Sequence, residues 1–107
     1  MKPLGLLLMT ENGQWVGVCT EYDIVAQGDS EQDALNVFAA IWRMQSRLDH
    51  ERGRGFPDSI PATPNDAPWS YRDRFDQAAA GRPWLCQEHD ASGALCTREF
   101  EVRVVRA

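Results

Sequence analysis

Residues 15–52 read WVGVCTEYDIVAQGDSEQDALNVFAAIWRMQSRLDHER, and this stretch decides the fold because its hydrophobic period changes partway along. Before Gly28 the apolar side chains alternate, as in a half-buried strand, and after Ser30 they recur every three or four residues, as in an amphipathic helix. Gly28-Asp29-Ser30 marks the change, since Ser30 is suited to cap a helix by accepting a backbone N–H. The pattern predicts a helix over about residues 31–52, roughly 33 Å long.

The predicted helix has one apolar face and two defined ends. Glu31 and Asp33 suit the positive end of its dipole, and Gly53 suits the position just after its last turn. We expect the buried face to carry Ala34, Leu35, Phe38, Ile41, Trp42, Gln45 and Leu48.

Three strand-like segments precede the helix, at residues 4–10, 15–21 and 24–27. Asn12-Gly13 predicts a tight hairpin turn between the first two segments. Alternation then places Trp15, Gly17 and Cys19 on one face of the second strand, and Val16, Val18 and Thr20 on the other. In the first strand Leu4, Leu6 and Leu8 can face the helix. Leu7 and Met9 then need cover from another layer or another chain.

The rest of the chain predicts a connector, a short helix and a closing strand. Residues 53–68 are rich in proline and glycine, and Phe56 and Ile60 are expected to hold this connector to the body. A second helix is predicted over residues 67–80, capped by Asp66 with Pro68 in its first turn. Residues 84–88 form either a short strand or an irregular loop, whereas residues 94–105 alternate as a half-buried strand.

Together these elements predict one α+β domain over residues 1–107. Its sheet is expected to be antiparallel with three to four strands, in the order β-β-β-α-α-β. One long helix packs on one face, and the short second helix lies in an insertion over residues 53–83.

The composition is that of an acidic globular protein with 107 residues and a net charge of −5. This charge disfavours direct binding of nucleic acid and favours a basic protein partner. Three cysteines without a disulfide spacing predict reduced thiols and a cytoplasmic location. The apolar run at residues 4–9 is too short for a signal peptide, and no run reaches membrane-spanning length.

The residues Ala26-Gln27-Gly28-Asp29-Ser30, followed by Asp33-Ala34, resemble the helix start of the HicB-type antitoxin family. In that family a strand ends in a Gln-Gly-Asp-Thr-like turn, and Glu-Glu-Ala or a similar triplet opens the helix. Trp15-Val16-Gly17-Val18 is similar to the family's second strand. The resemblance covers residues 4–50.

This resemblance implies a partial RNase H-like domain with a noncatalytic role. Family members bind and block a small basic RNA-cleaving toxin, and many assemble into dimers or larger forms. Two departures matter: Glu21-Tyr22-Asp23 replaces the usual Pro-Gly before the third strand, and the chain ends in a strand where a DNA-binding module is usual. We therefore do not expect operator binding.

Cys86, His89 and Cys96, with Cys19 as a fourth ligand, are the residues of the chain that suggest a zinc site. Their C-x2-H-x6-C spacing lacks a Cys-x-x-Cys pair. Reduced thiols near a turn are therefore the favoured interpretation, and no metal or cofactor is expected. His50, between Asp49 and Glu51, is expected to stabilise the end of the long helix rather than to act as a base.

A metal-dependent nuclease or hydrolase is an alternative function, since paired carboxylates such as those of Glu21, Asp23 and Asp29 can hold magnesium on an RNase H-like sheet. Asp29 is already explained by the helix start, so no catalytic residue is predicted. A structural subunit of a homo-oligomer is a further alternative.

The favoured function is protein binding, with self-association. The candidate partner surface is Leu7, Met9, Trp69 and Trp84, because apolar and indole side chains anchor interfaces. Trp42 is instead expected in the core, since it lies on the apolar face of the helix. Arg43, Arg47, Arg52 and Arg54 form a basic strip along the end of the same helix.

Overall fold

The chain forms a mixed five-stranded sheet with one helix against each face. The structure is a computed structural model that describes residues 2–65, 70–79 and 81–105. The predicted α+β class is confirmed. In chain order the elements are β1 (Leu4–Glu11), β2 (Gln14–Cys19), β3 (Val25–Gly28), α1 (Glu31–Glu51), α2 (Tyr71–Gln77), β4 (Arg82–His89) and β5 (Leu95–Val105).

The sheet differs from the predicted antiparallel one in number and direction of strands. Its order is β3-β2-β1-β5-β4, and β1 runs parallel to β5, with Leu6 beside Val102. The other three neighbouring pairs are antiparallel. The prediction of three to four antiparallel strands was wrong because residues 84–88, left open as strand or loop, belong to a longer strand, β4, that pairs with β5 in a hairpin. That hairpin inserts β5 beside β1, a long-range pairing that local alternation does not encode.

The helix start has the geometry that the sequence predicts. Ser30 caps α1, since its Oγ accepts a hydrogen bond from the Asp33 N–H at 3.0 Å. In return the Asp33 carboxylate accepts from the Asp29 N–H at 3.0 Å. At the far end Gly53 has φ +68, a conformation that suits glycine. Neither described helix is long and apolar enough to cross a membrane.

The larger core lies between α1 and the sheet. Trp42 is fully buried, stacks on Phe38 at 5.8 Å between ring centroids, and meets Phe100 edge-on at 5.1 Å. Leu6 and Leu8 line the same side of the sheet. The predicted α1 stripe is confirmed at Ala34, Leu35, Phe38 and Trp42, and so are the inward-facing leucines of β1. Ile41, Gln45 and Leu48 are only half-buried, whereas Ser46 and Asp49, which were not predicted to be buried, lie inside near the end of the helix.

The opposite face of the sheet is covered by α2. Phe75 of α2 packs on the cluster formed by Leu7, Met9, Val16 and Val18. This helix is shorter than predicted: it begins at Tyr71, where Ser70 Oγ accepts from the Asp73 N–H at 3.2 Å, and it ends at Gln77. The predicted cap Asp66 and Pro68 lie outside the described residues.

The connector is held to the body as predicted. Phe56 meets the Trp42 ring edge-on at 4.8 Å, and Ile60 packs on the same core. Farther along, Thr63 Oγ1 donates to the Cys19 carbonyl at 2.7 Å. The connector therefore belongs to the domain.

Candidate functional site

Four acidic residues gather at the end of the sheet where α1 begins. Glu11 closes β1, and the pairing of Trp15 with Gly28 brings the hairpin of β1 and β2 beside the start of α1. Across this junction Gln14 Nε2 donates to Asp29 Oδ1 at 3.3 Å. We call this surface the acidic end, and its residues are Glu11, Asp29, Glu31 and Asp33.

The charge of the acidic end is not balanced within its own part of the sequence. Residues 3–42 contain six acidic residues and no lysine or arginine. Glu11, Asp29 and Asp33 are exposed, and Glu31 is half-buried. A helix start supplies only about half an elementary positive charge. The exposed carboxylates of Glu11, Asp29 and Asp33 therefore carry more charge than the helix dipole offsets.

The opposite end of α1 carries arginines. Arg47, Arg52 and Arg54 are exposed there, with Arg47 bonded to Glu51 at 3.2 Å. The 21 residues of α1 span about 31 Å. This separation is several times the screening length of about 8 Å at physiological salt, so the charges at the two ends act independently.

A buried polar network joins α1 to the hairpin of β4 and β5. Trp42 Nε1 donates to Glu88 Oε1 at 3.0 Å, and Arg98 forms a two-pronged pair with the same carboxylate, each bond 2.9 Å long. Glu88 is only 5% exposed. Its hydrogen bond with Arg98 raises the pKa of that guanidinium, which keeps Arg98 charged. The sequence predicted the place of Trp42 but not this partner.

Both histidine rings contact backbone carbonyls of the turn between β4 and β5. His50 Nδ1 lies 3.1 Å from the Ala91 carbonyl, at the end of α1 as predicted, and His89 Nδ1 lies 3.0 Å from the Gly93 carbonyl. Asp90 caps this turn, and its bond with Ser92 lowers the pKa of the carboxyl. A cleft of about 330 Å³ opens beside both rings and Arg54. These contacts give both histidines and Asp90 a structural role.

The cysteines and carboxylates considered as metal ligands are not brought together. In the strand register Cys86 lies beside Arg98 and Cys96 beside Glu88. The part of the chain that the structure describes holds no group of three or more His, Cys, Asp or Glu residues able to bind a metal ion. Glu21 instead accepts from the Gly5 N–H at 3.0 Å and pairs with Arg72 at 3.3 Å.

The three free thiols are expected to react very unequally. Burial raises the pKa of Cys19 to about 11 and of Cys86 to about 12; it also raises the pKa of Cys96, but that side chain is only half-buried and open to a reagent. Because the thiolate is the reactive form, we expect one thiol, Cys96, to react rapidly with a disulfide reagent at about pH 8, and all three to react after unfolding. A thiol count on the native protein and on Cys96→Ser tests this. More than one fast thiol in the native protein would contradict the burial described here.

The residues predicted as a partner surface do not form one exposed surface in the described part of the structure. Leu7 is fully buried and Met9 is 5% exposed, because α2 covers them from within the chain. The argument for self-association from this face therefore loses its basis, and self-association stays a prediction. Trp84 is half-buried against Phe38 and Phe100, and Trp69 lies outside the described residues.

Comparison with known proteins adds no relative. No family model matches the chain, and no curated protein and no solved structure match it. The resemblance to HicB-type antitoxins stays a prediction, and the function rests on the contacts described above.

Proposed function

We propose that the chain is a noncatalytic protein-binding module whose acidic end binds a small basic protein. In the form that the HicB resemblance suggests, the partner is a small basic ribonuclease, and binding neutralises it as an antitoxin does. The observation that carries the proposal is the exposed carboxylate cluster of the acidic end, in a region of the sequence without lysine or arginine.

Electrostatics explains why such a surface would suit a ribonuclease. An enzyme that holds RNA presents basic residues to the phosphates. Carboxylates placed on a neighbouring protein compete for those basic residues and steer the encounter between the two proteins. The acidic end would therefore block access of RNA without any chemistry of its own.

Rigidity of the acidic end supports the proposal further. The Asp33 N–H donates to Ser30 and the Asp29 N–H donates to the Asp33 carboxylate, which fixes the first turn of α1, and the bond from Gln14 holds Asp29. A preformed surface loses less conformational entropy on binding than a flexible one. The carboxylates of Asp29 and Asp33 are thus held in place before a partner arrives.

Co-expression with the product of the adjacent gene tests the function. We expect a small basic protein that co-purifies with the chain, cleaves RNA when alone, and loses that activity when the chain is added in equal amount. A neighbouring product that neither binds the chain nor cleaves RNA would contradict the antitoxin-like role.

Charge reversal at the acidic end is expected to weaken this complex. Glu11→Lys combined with Asp29→Lys should lower the affinity at least about tenfold, because exposed charges facing a basic partner become repulsive. Titration calorimetry of the purified proteins measures the change. The matched control reverses two exposed carboxylates elsewhere, Asp76→Lys with Glu99→Lys. Equal losses in both double variants would show that only net charge matters, against a defined site.

A further inference from the structure

We propose that a groove between α1 and the outer edge of β4 binds an extended, acidic segment of a partner protein, which adds beside β4 as another strand. Two adjoining hollows of about 320 and about 290 Å³ form this edge groove, and they share Ala40 and Arg43. It lies apart from the acidic end and has the opposite charge, so the proposal does not depend on the one above.

The backbone of β4 offers free pairing positions toward this groove. β4 is the last strand of the sheet, so its outer side has no strand neighbour within the described residues. The His89 N–H points outward, since it donates to Ser46 Oγ of α1 at 2.8 Å. Amides two residues apart point the same way, so those of Gln87 and Leu85 also face outward. An edge of this kind is a template for an added strand.

Apolar side chains cluster around the same edge. Met44, Leu85 and Leu95 are 56%, 64% and 54% exposed, and they are three of the four large apolar side chains exposed in the described part of the chain. Each of them lines one of the two hollows, and Trp84 forms part of the wall. Scattered exposed leucines need no explanation, but a concentration beside an open strand edge indicates a binding surface.

The charge of the groove selects an acidic occupant. Arg43 and Arg47 are exposed on its α1 side, and His89 lies at its end, whereas no aspartate or glutamate of the described residues lines either hollow. This is the reverse of the protein as a whole, whose net charge is −5. A carboxylate of the partner can replace Glu51 beside Arg47, since exposed ion pairs contribute little to stability. A segment with carboxylates is therefore the complementary partner.

The length of the groove sets the length of the segment. The lining residues of α1 run from Asn36 to Arg47, about 16 Å along the helix. An extended chain covers that distance with about five residues. Pairing stops at Pro83, which has no N–H, and at His89, whose N–H is taken by Ser46.

Binding of a labelled peptide tests the proposal. The probe is a fluorescein-labelled peptide of alternating glutamate and valine, about seven residues long so that it spans the groove. We expect saturable binding in fluorescence anisotropy, weakened at least about tenfold in Arg43→Glu with Arg47→Glu. Arg54→Glu, an exposed arginine outside the groove, should leave the affinity unchanged. A lysine-valine peptide and a copy methylated on its backbone nitrogens should both bind at least about tenfold more weakly.

Three outcomes would overturn the proposal. The first is no saturable binding, and the second is equal binding of the methylated copy, which cannot donate to the β4 carbonyls. The third is a dimer in analytical ultracentrifugation that dissociates in Arg43→Glu with Arg47→Glu, because the groove would then hold a second copy of this chain. Thermal unfolding of each variant distinguishes loss of binding from loss of fold.

Discussion

Replacing Glu88 by alanine is expected to destabilise the protein by about 3 kcal/mol. The change leaves the Arg98 guanidinium and the Trp42 N–H without the carboxylate that both now contact. Breaking a buried ion pair from one side costs about 3–5 kcal/mol. The lower value applies because the Arg98 side chain is 24% exposed and regains some water. Such a loss is a large share of a typical stability of about 5–15 kcal/mol.

Urea unfolding followed by the Trp fluorescence measures this change. Glu99→Ala, an exposed carboxylate on the neighbouring strand, is the control and should shift stability by less than about 0.5 kcal/mol. Glu88→Leu combined with Arg98→Met should recover more than half of the loss, because both members of the buried ion pair are then replaced together by apolar side chains. A loss below about 1 kcal/mol in Glu88→Ala would contradict the buried network.

Gly28→Ala is expected to cost about 2–3 kcal/mol and to disturb the start of α1. A Cβ at this position would lie 2.5 Å from the Ala34 nitrogen and 2.8 Å from the Asp33 carbonyl carbon. Both atoms belong to the helix backbone, so they cannot move aside without shifting α1, and overpacking of this kind costs about 1–3 kcal/mol. The glycine is thus needed for a close approach of strand to helix rather than for its backbone angles.

Gly55→Ala is the matched control for this substitution. No atom lies within 4 Å of a Cβ at Gly55, so stability should change by less than about 0.5 kcal/mol. Chemical unfolding compares the two variants, and far-ultraviolet circular dichroism reports the helix. Equal stability of Gly28→Ala and Gly55→Ala would mean that β3 and α1 do not approach as described.

Local sequence patterns predicted most of the fold. Asn12-Gly13, Ser30 and Gly53 mark element ends through short-range geometry, which is why the hairpin and α1 were predicted closely. The alternation of Leu6, Leu7 and Leu8 likewise predicted two covered faces. These features depend on neighbours within a few residues, so a single sequence contains them.

Pairing between strands far apart in the chain could not be predicted from the sequence. The parallel match of Leu6 with Val102 joins residues 96 positions apart, and nothing local distinguishes it from an antiparallel match. The hydrogen-bond partner of Trp42 could not be predicted for the same reason, since Glu88 is 46 positions away. A glutamate in a segment that could be strand or loop is normally expected to be exposed to solvent. The edge groove was missed because it needs α1 beside β4, two elements that lie far apart in the sequence and meet only in the fold.

Chemical-shift mapping tests the binding role of the acidic end most directly. The isotopically labelled chain would be titrated with the basic product of the adjacent gene, and backbone amide shifts would be followed. We predict that the largest changes fall at Glu11, Asp29, Glu31 and Asp33, with little change at Leu85 and Leu95. Changes confined to any other surface, or no changes at all, would contradict the proposed site.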